Sequence, residues 1–287
     1  MVVAVIGKLR RYAKQVQALQ RLNFAMTRGA ATSALRRVDP TDPSTWEFSA
    51  FSQNGEDGIL DVLTRAVLEP HRDFVEIGAS DGLENNTAWL ALGRRFSGVW
   101  IESDRDACES CRLVLGRLNY GVGVRCMFVT RERVDELVRA LPRTDPDVFS
   151  VDIDGNDYHV VEAMLAARIR PRIWVVEYNS AFGPERSVTI PYRADFHVVR
   201  KLGHNLYYGC SISAWRRLFA RAGYRFVTVE TNGINAFFIN PAAFSRAFVD
   251  GLRGVPYRPN TSHTREYGLD WRGQLRRLER RELVDVA

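Results

Sequence analysis

Long uncharged apolar runs are missing from this chain of 287 residues. No stretch approaches the roughly 18 to 20 residues that cross a bilayer as a helix. The start, MVVAVIGKLRRYAK, sets its apolar residues ahead of its charges, the reverse of a secretory signal, so a cytoplasmic address is expected. Cysteine is scarce as well. Cys108, Cys111, Cys126 and Cys210 are too few to staple a fold of this size, and reduced thiols fit the same address. Cys108 and Cys111 form a CxxC, but no second pair or nearby histidine completes a zinc set. Lysine stands only at positions 8, 14 and 201 among 40 basic residues, a bias read as genomic rather than functional.

Acid is absent from residues 1 to 38, which hold eight cations: Lys8, Arg10, Arg11, Lys14, Arg21, Arg28, Arg36 and Arg37. Taking these eight from the formal +6 leaves the rest of the chain near −2. The basic pI therefore belongs to an arm, and nucleic acid is set aside as a substrate. Residues 3 to 24 place Ile6, Leu9, Ala13, Val16 and Leu19 at helical spacing with cations between them, an amphipathic helix. Two uses are open: docking on the domain with a solvated basic face, or peripheral contact with anionic lipid or a membrane-bound partner at the inner membrane face. Thr27 to Trp46, with Gly29, Pro40 and Pro43, reads as a linker. The expected organisation is 1–46 helix and linker, 47–245 main domain and 246–287 C-terminal extension, with residues 1 to 35 dispensable for folding.

A helix is expected over Ser52 to Leu68, and then strands and helices alternate. Strand patterns fall at Phe74–Ile77, Val99–Glu102, Val124–Val129, Val148–Ile153, Ile173–Glu177, Phe226–Glu230 and Ala236–Ile239. Helical patterns fall near 86 to 93, 105 to 117, 131 to 140, 157 to 167 and 211 to 222. This predicts a mostly parallel, Rossmann-like α/β sheet of seven strands, with helices on both faces and a terminal antiparallel pair; ligands bind beyond the carboxyl ends of such strands. The tail RGQLRRLERRE reads as a solvated helix without a motif.

The strongest local signal is FVEIGASDG, residues 74 to 82, an apolar strand followed by Glu76-x-Gly78-x-x-x-Gly82. Glycines there let the backbone approach a ligand, and the following residues offer unpaired N–H groups. A dinucleotide turn would read G-x-G-x-x-G, which is missing. An acid before GxxxG instead points to S-adenosylmethionine, with Glu76 attracting its amino end and Gly78, Ala79, Ser80 and Gly82 forming the turn. Glu102 and Ser103, in VWIESD, end the next strand, where a carboxylate accepts ribose hydroxyls.

From Gln53 through FVEIGASDGLENNT, VWIESD, SVDIDGND and NGINAFF the chain resembles the FkbM-like methyltransferases, over roughly residues 50 to 240. Asp152, Asp154, Gly155 and Asp157 fall on the acidic and glycine positions of that family's IDVEGAE block, although Asp stands at 154 where Glu is usual. Motif I here carries Glu rather than the commoner Asp, and Asn85-Asn86 follow it. The resemblance implies a class I methyltransferase fold, S-adenosylmethionine as donor, and a sugar or polyketide hydroxyl as acceptor.

Transfer to a hydroxyl needs alignment and removal of a proton, which directs attention to acids at strands four and five. Asp152 is assigned to the cofactor side. Asp152 and Asp154, two apart in an expected strand, share a face, and Glu177 and Asn179 hold the equivalent place in IWVVEYN. Asp152, Asp154, Glu177 and Asn179 could together hold Mg²⁺; alternatively Asp154 or Glu177 binds the acceptor or serves as base. His204, in LGHNLYYG, is a further acceptor-site candidate within the long aromatic segment from Ser180 to Gly209. The rival functions are a glycosyltransferase using Asp152-x-Asp154 to hold a nucleotide-sugar metal, and a binding protein that kept the fold without turnover.

Overall fold

The computed structural model describes residues 2–115, 118–196 and 206–286. Its strands are β1 (Asp73–Ile77), β2 (Ser97–Glu102), β3 (Val122–Cys126), β4 (Val148–Val151), β5 (Ile173–Glu177), β6 (Val188–Thr189), β7 (Arg225–Val229), β8 (Asn235–Ile239) and β9 (Val284–Asp285). Seven of them form one sheet in the order β3-β2-β1-β4-β5-β8-β7, and β6 pairs with β9 separately. The first five are parallel, while β8 runs antiparallel to both β5 and β7. The expected Rossmann-like sheet with its terminal antiparallel pair is therefore present.

Continuous apolar strands follow from burial on both faces. Phe74, Val175 and Phe237 point into one core, which also takes Trp46, Phe48 and Leu60. Their neighbours Val75, Trp174 and Phe238 point into the other, with Trp215 and Phe219. The helices are α1 (Val2–Leu35), α2 (Glu56–Ala66), α3 (Arg105–Leu115), α4 (Val134–Ala140), α5 (Asp157–Ala166), α6 (Ile212–Arg221), α7 (Arg246–Gly251), α8 (Thr261–Tyr267) and α9 (Trp271–Arg277).

Several expected boundaries move, each for a packing reason. Helix α1 runs through the expected linker as far as Leu35. Gly29 marks a close approach rather than a break: a Cβ there would lie 2.4 Å from that of Ala50. Arg28 donates to the Ala50 carbonyl (2.6 Å), Arg36 to the Trp46 carbonyl (2.6 Å) and to buried Asp61 (2.9 Å), and Arg21 pairs with Asp81 and Glu84. Three cations of the arm are thus committed to the domain. The side chains of Lys8, Arg11 and Lys14, which the lipid reading needs, lie outside the described residues. No helix among the described residues is long and apolar enough to cross a membrane.

Helix α2 starts at Glu56, not Ser52, because the Asp57 carboxylate accepts from the amides of Ala50, Phe51 and Ser52 (2.7 to 3.0 Å) and folds that stretch into a turn. The tail is packed rather than solvated. Trp271, Leu275 and Leu278 form a stripe, Trp271 lies against Gly183, Leu278 joins Phe182 and Val188, and Gln274 is fully buried. Cys108 and Cys126 are joined as a disulfide between α3 and β3, while Cys111 and Cys210 are free and buried. The expectation of four reduced thiols is corrected, and it no longer supports a cytoplasmic address.

Candidate active site

At the carboxyl ends of β1, β2, β4 and β5 lies a cavity of about 820 Å³. Parallel strands present their ends on one side of the sheet, so residues far apart in sequence meet there. Gly78, Ser80, Glu102, Ser103, Asp152, Asp154 and Glu177 all line it. Those are seven of the sequence-predicted site residues. His204 lies outside the described residues.

The turn after β1 shows why glycine is required. Gly78 has φ +86°, and a Cβ on it would sit 1.7 Å from the Asp152 carbonyl oxygen. The β1 and β4 loops therefore touch through bare backbone, as a site for a closely held ligand needs. Ser80, also at positive φ (49°), donates its amide to Glu102 Oε2 (2.8 Å), and Glu102 Oε1 accepts from the amides of Ser103 (2.6 Å) and Asp104 (2.9 Å). Glu102 is half-buried and opens onto the cavity.

Glu76, Ala79 and Gly82, expected to contact the ligand, are not among the residues that line that cavity. Ala79 is fully buried, and Gly82 packs on the Trp100 ring. Glu76 lies beneath the loop. Its two oxygens accept from Asn85 Nδ2, the amides of Asn86 and Thr87, and the Thr87 hydroxyl, at 2.5 to 3.1 Å. Burial pushes its carboxyl above the usual range while these donors pull it back. Glu76 thus shapes the wall that the ligand would touch.

Across the cavity stand the acids. Oxygens of Asp152, Asp157 and Glu177 lie within 4.8 Å of one another. Asp157 is committed to structure, accepting from the amides of Ile153 and Gly155 (2.8 Å each), with burial pushing its pKa up to about 6. Burial, and then repulsion from neighbouring acids, holds both Asp152 and Glu177 well above the carboxylate range. Carboxyl oxygens this close disfavour each other's ionisation, so the pair titrates as a unit. Glu177 Oε2 is buried without a hydrogen-bond partner among the described residues.

Asp152 and Asp154 do not sit in a strand, because β4 stops at Val151 and Asp154 takes a left-handed φ of 54°. Both face the cavity from a loop. Asn179 is removed from the cation set. Its Oδ1 accepts from Ala181 N (3.0 Å), its Nδ2 donates to the carbonyls of Leu206 (2.8 Å) and Tyr208 (2.9 Å), and it is fully buried away from the cavity. With Asn179 spent on backbone and Asp157 accepting from two amides, the acids that face the cavity are Asp152, Asp154 and Glu177.

The opposite wall holds residues that the sequence reading missed. Asn260 and His263, from the C-terminal extension, line the cavity beside Tyr208 and Phe196. Asn260 caps α8 by accepting from His263 N (3.0 Å), which orients the imidazole. His263 is 9% exposed, its Nδ1 has no partner among the described residues, and burial lowers its pKa, which favours the neutral ring. The readable signal was Asn260 ahead of T-S-H, a helix cap that fixes a histidine on the first turn.

No protein-family model matches the chain, and no curated protein matches its sequence. Among solved structures it is similar to a SAM-dependent methyltransferase from Aquifex aeolicus, at 13% identity and TM-score 0.38, covering 70% of this chain and 97% of that one. It is also similar to an O-methyltransferase from Bacillus cereus in complex with SAH (17% identity, TM-score 0.41, 79% and 89% covered). A third is the CurJ carbon methyltransferase (13% identity, TM-score 0.42, 81% and 68% covered). Alignments at this level say nothing of this chain's substrate.

Proposed function

We propose that this chain is an S-adenosylmethionine-dependent methyltransferase acting on a hydroxyl of a small polar acceptor such as a sugar, glycolipid or polyketide-like molecule. The observation that carries this reading is the single cavity joining Glu102 and Ser103 on one side to the Asp152–Glu177 pair on the other. Gly78, Ser80, Glu102, Ser103 and Asp152 would hold the donor, whose fit is supported by the bare backbone at Gly78. Bound there, S-adenosylmethionine supplies a methyl group already activated on a sulfonium.

The protein's remaining work is alignment and proton removal. A hydroxyl seated against the Asp152–Glu177 pair hands its proton to whichever carboxylate lacks one, and burial makes that pair more basic than ordinary acids. Asp154 lines the same space and serves as an acceptor contact. Tyr208, Phe196 and His263 give an aromatic wall with a polar edge, suited to one face of a saccharide ring. Titration calorimetry with S-adenosylmethionine, UDP-glucose and GDP-mannose tests the assignment: heat with the first alone is expected, and binding of a nucleotide sugar alone would replace it with the glycosyltransferase reading.

A further inference from the structure

A second cavity, of about 630 Å³, is lined by α9, by the turn that leads to β9, and by Arg186 just before β6. Arg186, Arg272, Arg276 and Arg281 enter its lining against a single acid, Glu279. Residues 271 to 281 hold five arginines and one glutamate, in a chain whose charge beyond the N-terminal arm is near −2. No guanidinium of the four lining arginines forms an ion pair or hydrogen bond among the described residues. Arg272 and Arg276 lie one turn apart on α9, where like charges repel and weaken a helix. No ion pair among the described residues offsets that repulsion, which leaves both guanidinium forks able to meet an anion.

The cleft is also held in shape. Arg272 lies over the Trp271 ring at 4.4 Å and Arg281 over the Tyr207 ring at 5.3 Å. The Tyr207 hydroxyl donates to the Glu282 carbonyl (2.8 Å), and the Ser187 hydroxyl to the Val286 carbonyl (2.6 Å), beside the β6–β9 pair. Trp271, Leu275, Leu278 and Leu283 add an apolar side to the charged one. Guanidinium forks match phosphate oxygens two at a time, and the volume exceeds one phosphate while suiting a small organic molecule.

We infer that this cleft binds the phosphate groups of a small phosphorylated organic ligand, of the nucleoside- or sugar-diphosphate class. Tyr207, beneath Arg281, packs against Phe196 of the main cavity at 6.5 Å between rings, so the ligand would sit beside the acceptor half of that site. The inference stands on the arginine cleft and is independent of the methyl-transfer reading.

Full-length protein is titrated with inorganic pyrophosphate and with uridine diphosphate at low and high salt. In parallel it is floated with phosphatidylcholine vesicles with and without phosphatidylglycerol. Saturable, salt-sensitive binding of the soluble phosphates is expected, with affinity reduced about tenfold or more in an R272A/R276A double variant. Flotation lost in the same variant would assign the phosphate chemistry to a lipid headgroup. Because Arg272 and Arg276 are exposed, the variant's near-ultraviolet circular dichroism and Tm should match the parent. Arg276→Lys, which keeps the charge and loses the fork, should fall between the two. Absence of heat and of flotation in the parent, or equal binding by parent and double variant, overturns the inference.

Discussion

The backbone amide of Ser80 donates a 2.8 Å hydrogen bond to Oε2 of Glu102, tying the turn that leaves β1 to the end of β2. The same carboxylate lines the main cavity, whereas Glu76 spends both oxygens beneath it. The two acids should therefore respond differently to removal. Glu102→Ala is expected to weaken S-adenosylmethionine binding by about 1.5 to 3 kcal/mol with little change in stability. Glu76→Ala leaves several buried donors unpaired, and each costs about 1 to 3 kcal/mol of stability. Calorimetry and urea denaturation on both variants decide this. Unchanged cofactor affinity in Glu102→Ala would sink the site assignment.

The sheet was legible because four buried parallel strands, β1, β2, β4 and β5, leave unmistakable apolar runs, and the strand ends carried their acids with them. Glu102, Asp152, Asp154 and Glu177 were found that way, and they meet in one cavity. Whether an acid at a strand end faces the ligand or the protein was not legible. That depends on which amides the next loop presents, as Asn85 to Thr87 do to Glu76 and Ala181 does to Asn179. Asn260 and His263 escaped for a different reason. They lie beyond β8, and the chain is returned to the cavity by tertiary contacts such as those of Tyr257 with Ser180 and of Arg258 with Tyr178.

Raised carboxyl pKa values give the stability a defined pH dependence. The folded state holds protons on Asp152 and Glu177 more tightly than the unfolded chain does, as it also does on Asp157 (about 6), Asp57 (about 7) and Glu230 (about 7). Stability should fall as pH climbs from the ordinary carboxylate range near 4 through about 7. Glu177→Gln keeps the shape and removes one ionisation, so its Tm should exceed the parent's at about pH 8 and converge with it at about pH 5. Turnover should drop about 10²- to 10⁴-fold with cofactor affinity retained. A Glu177→Gln variant with parental turnover would remove Glu177 from proton transfer.

Chelation separates the two chemistries that the acids could support. With Asn179 and Asp157 consumed by backbone hydrogen bonds, proton handling by Asp152 and Glu177 needs no cation. EDTA should leave turnover unchanged and added Mg²⁺ should not raise it. Loss of activity on chelation with recovery on Mg²⁺ would return these acids to a metal-binding role.

Removing residues 1 to 35 is now expected to harm the fold, the reverse of what their composition implied. Ala25 is 5% exposed and sits in the same core cluster as Trp46 and Phe48, with Ala18 and Leu22 packed against it. Truncation would uncover that surface, take away the helix that Gly29 lays on Ala50, and release Ala50 from Arg28. Arg21 would also leave Asp81 and Glu84, two residues of the loop that follows Gly78. Losing this apolar contact should cost on the order of 2 to 4 kcal/mol, and the exposed ion pairs add little. Chemical denaturation of the truncated and full-length chains measures that difference directly. Equal midpoints would show that α1 contributes nothing to the fold and restore it as a free basic arm. A lower midpoint together with weaker S-adenosylmethionine binding would show that the arm also steadies the loop beside the cofactor site.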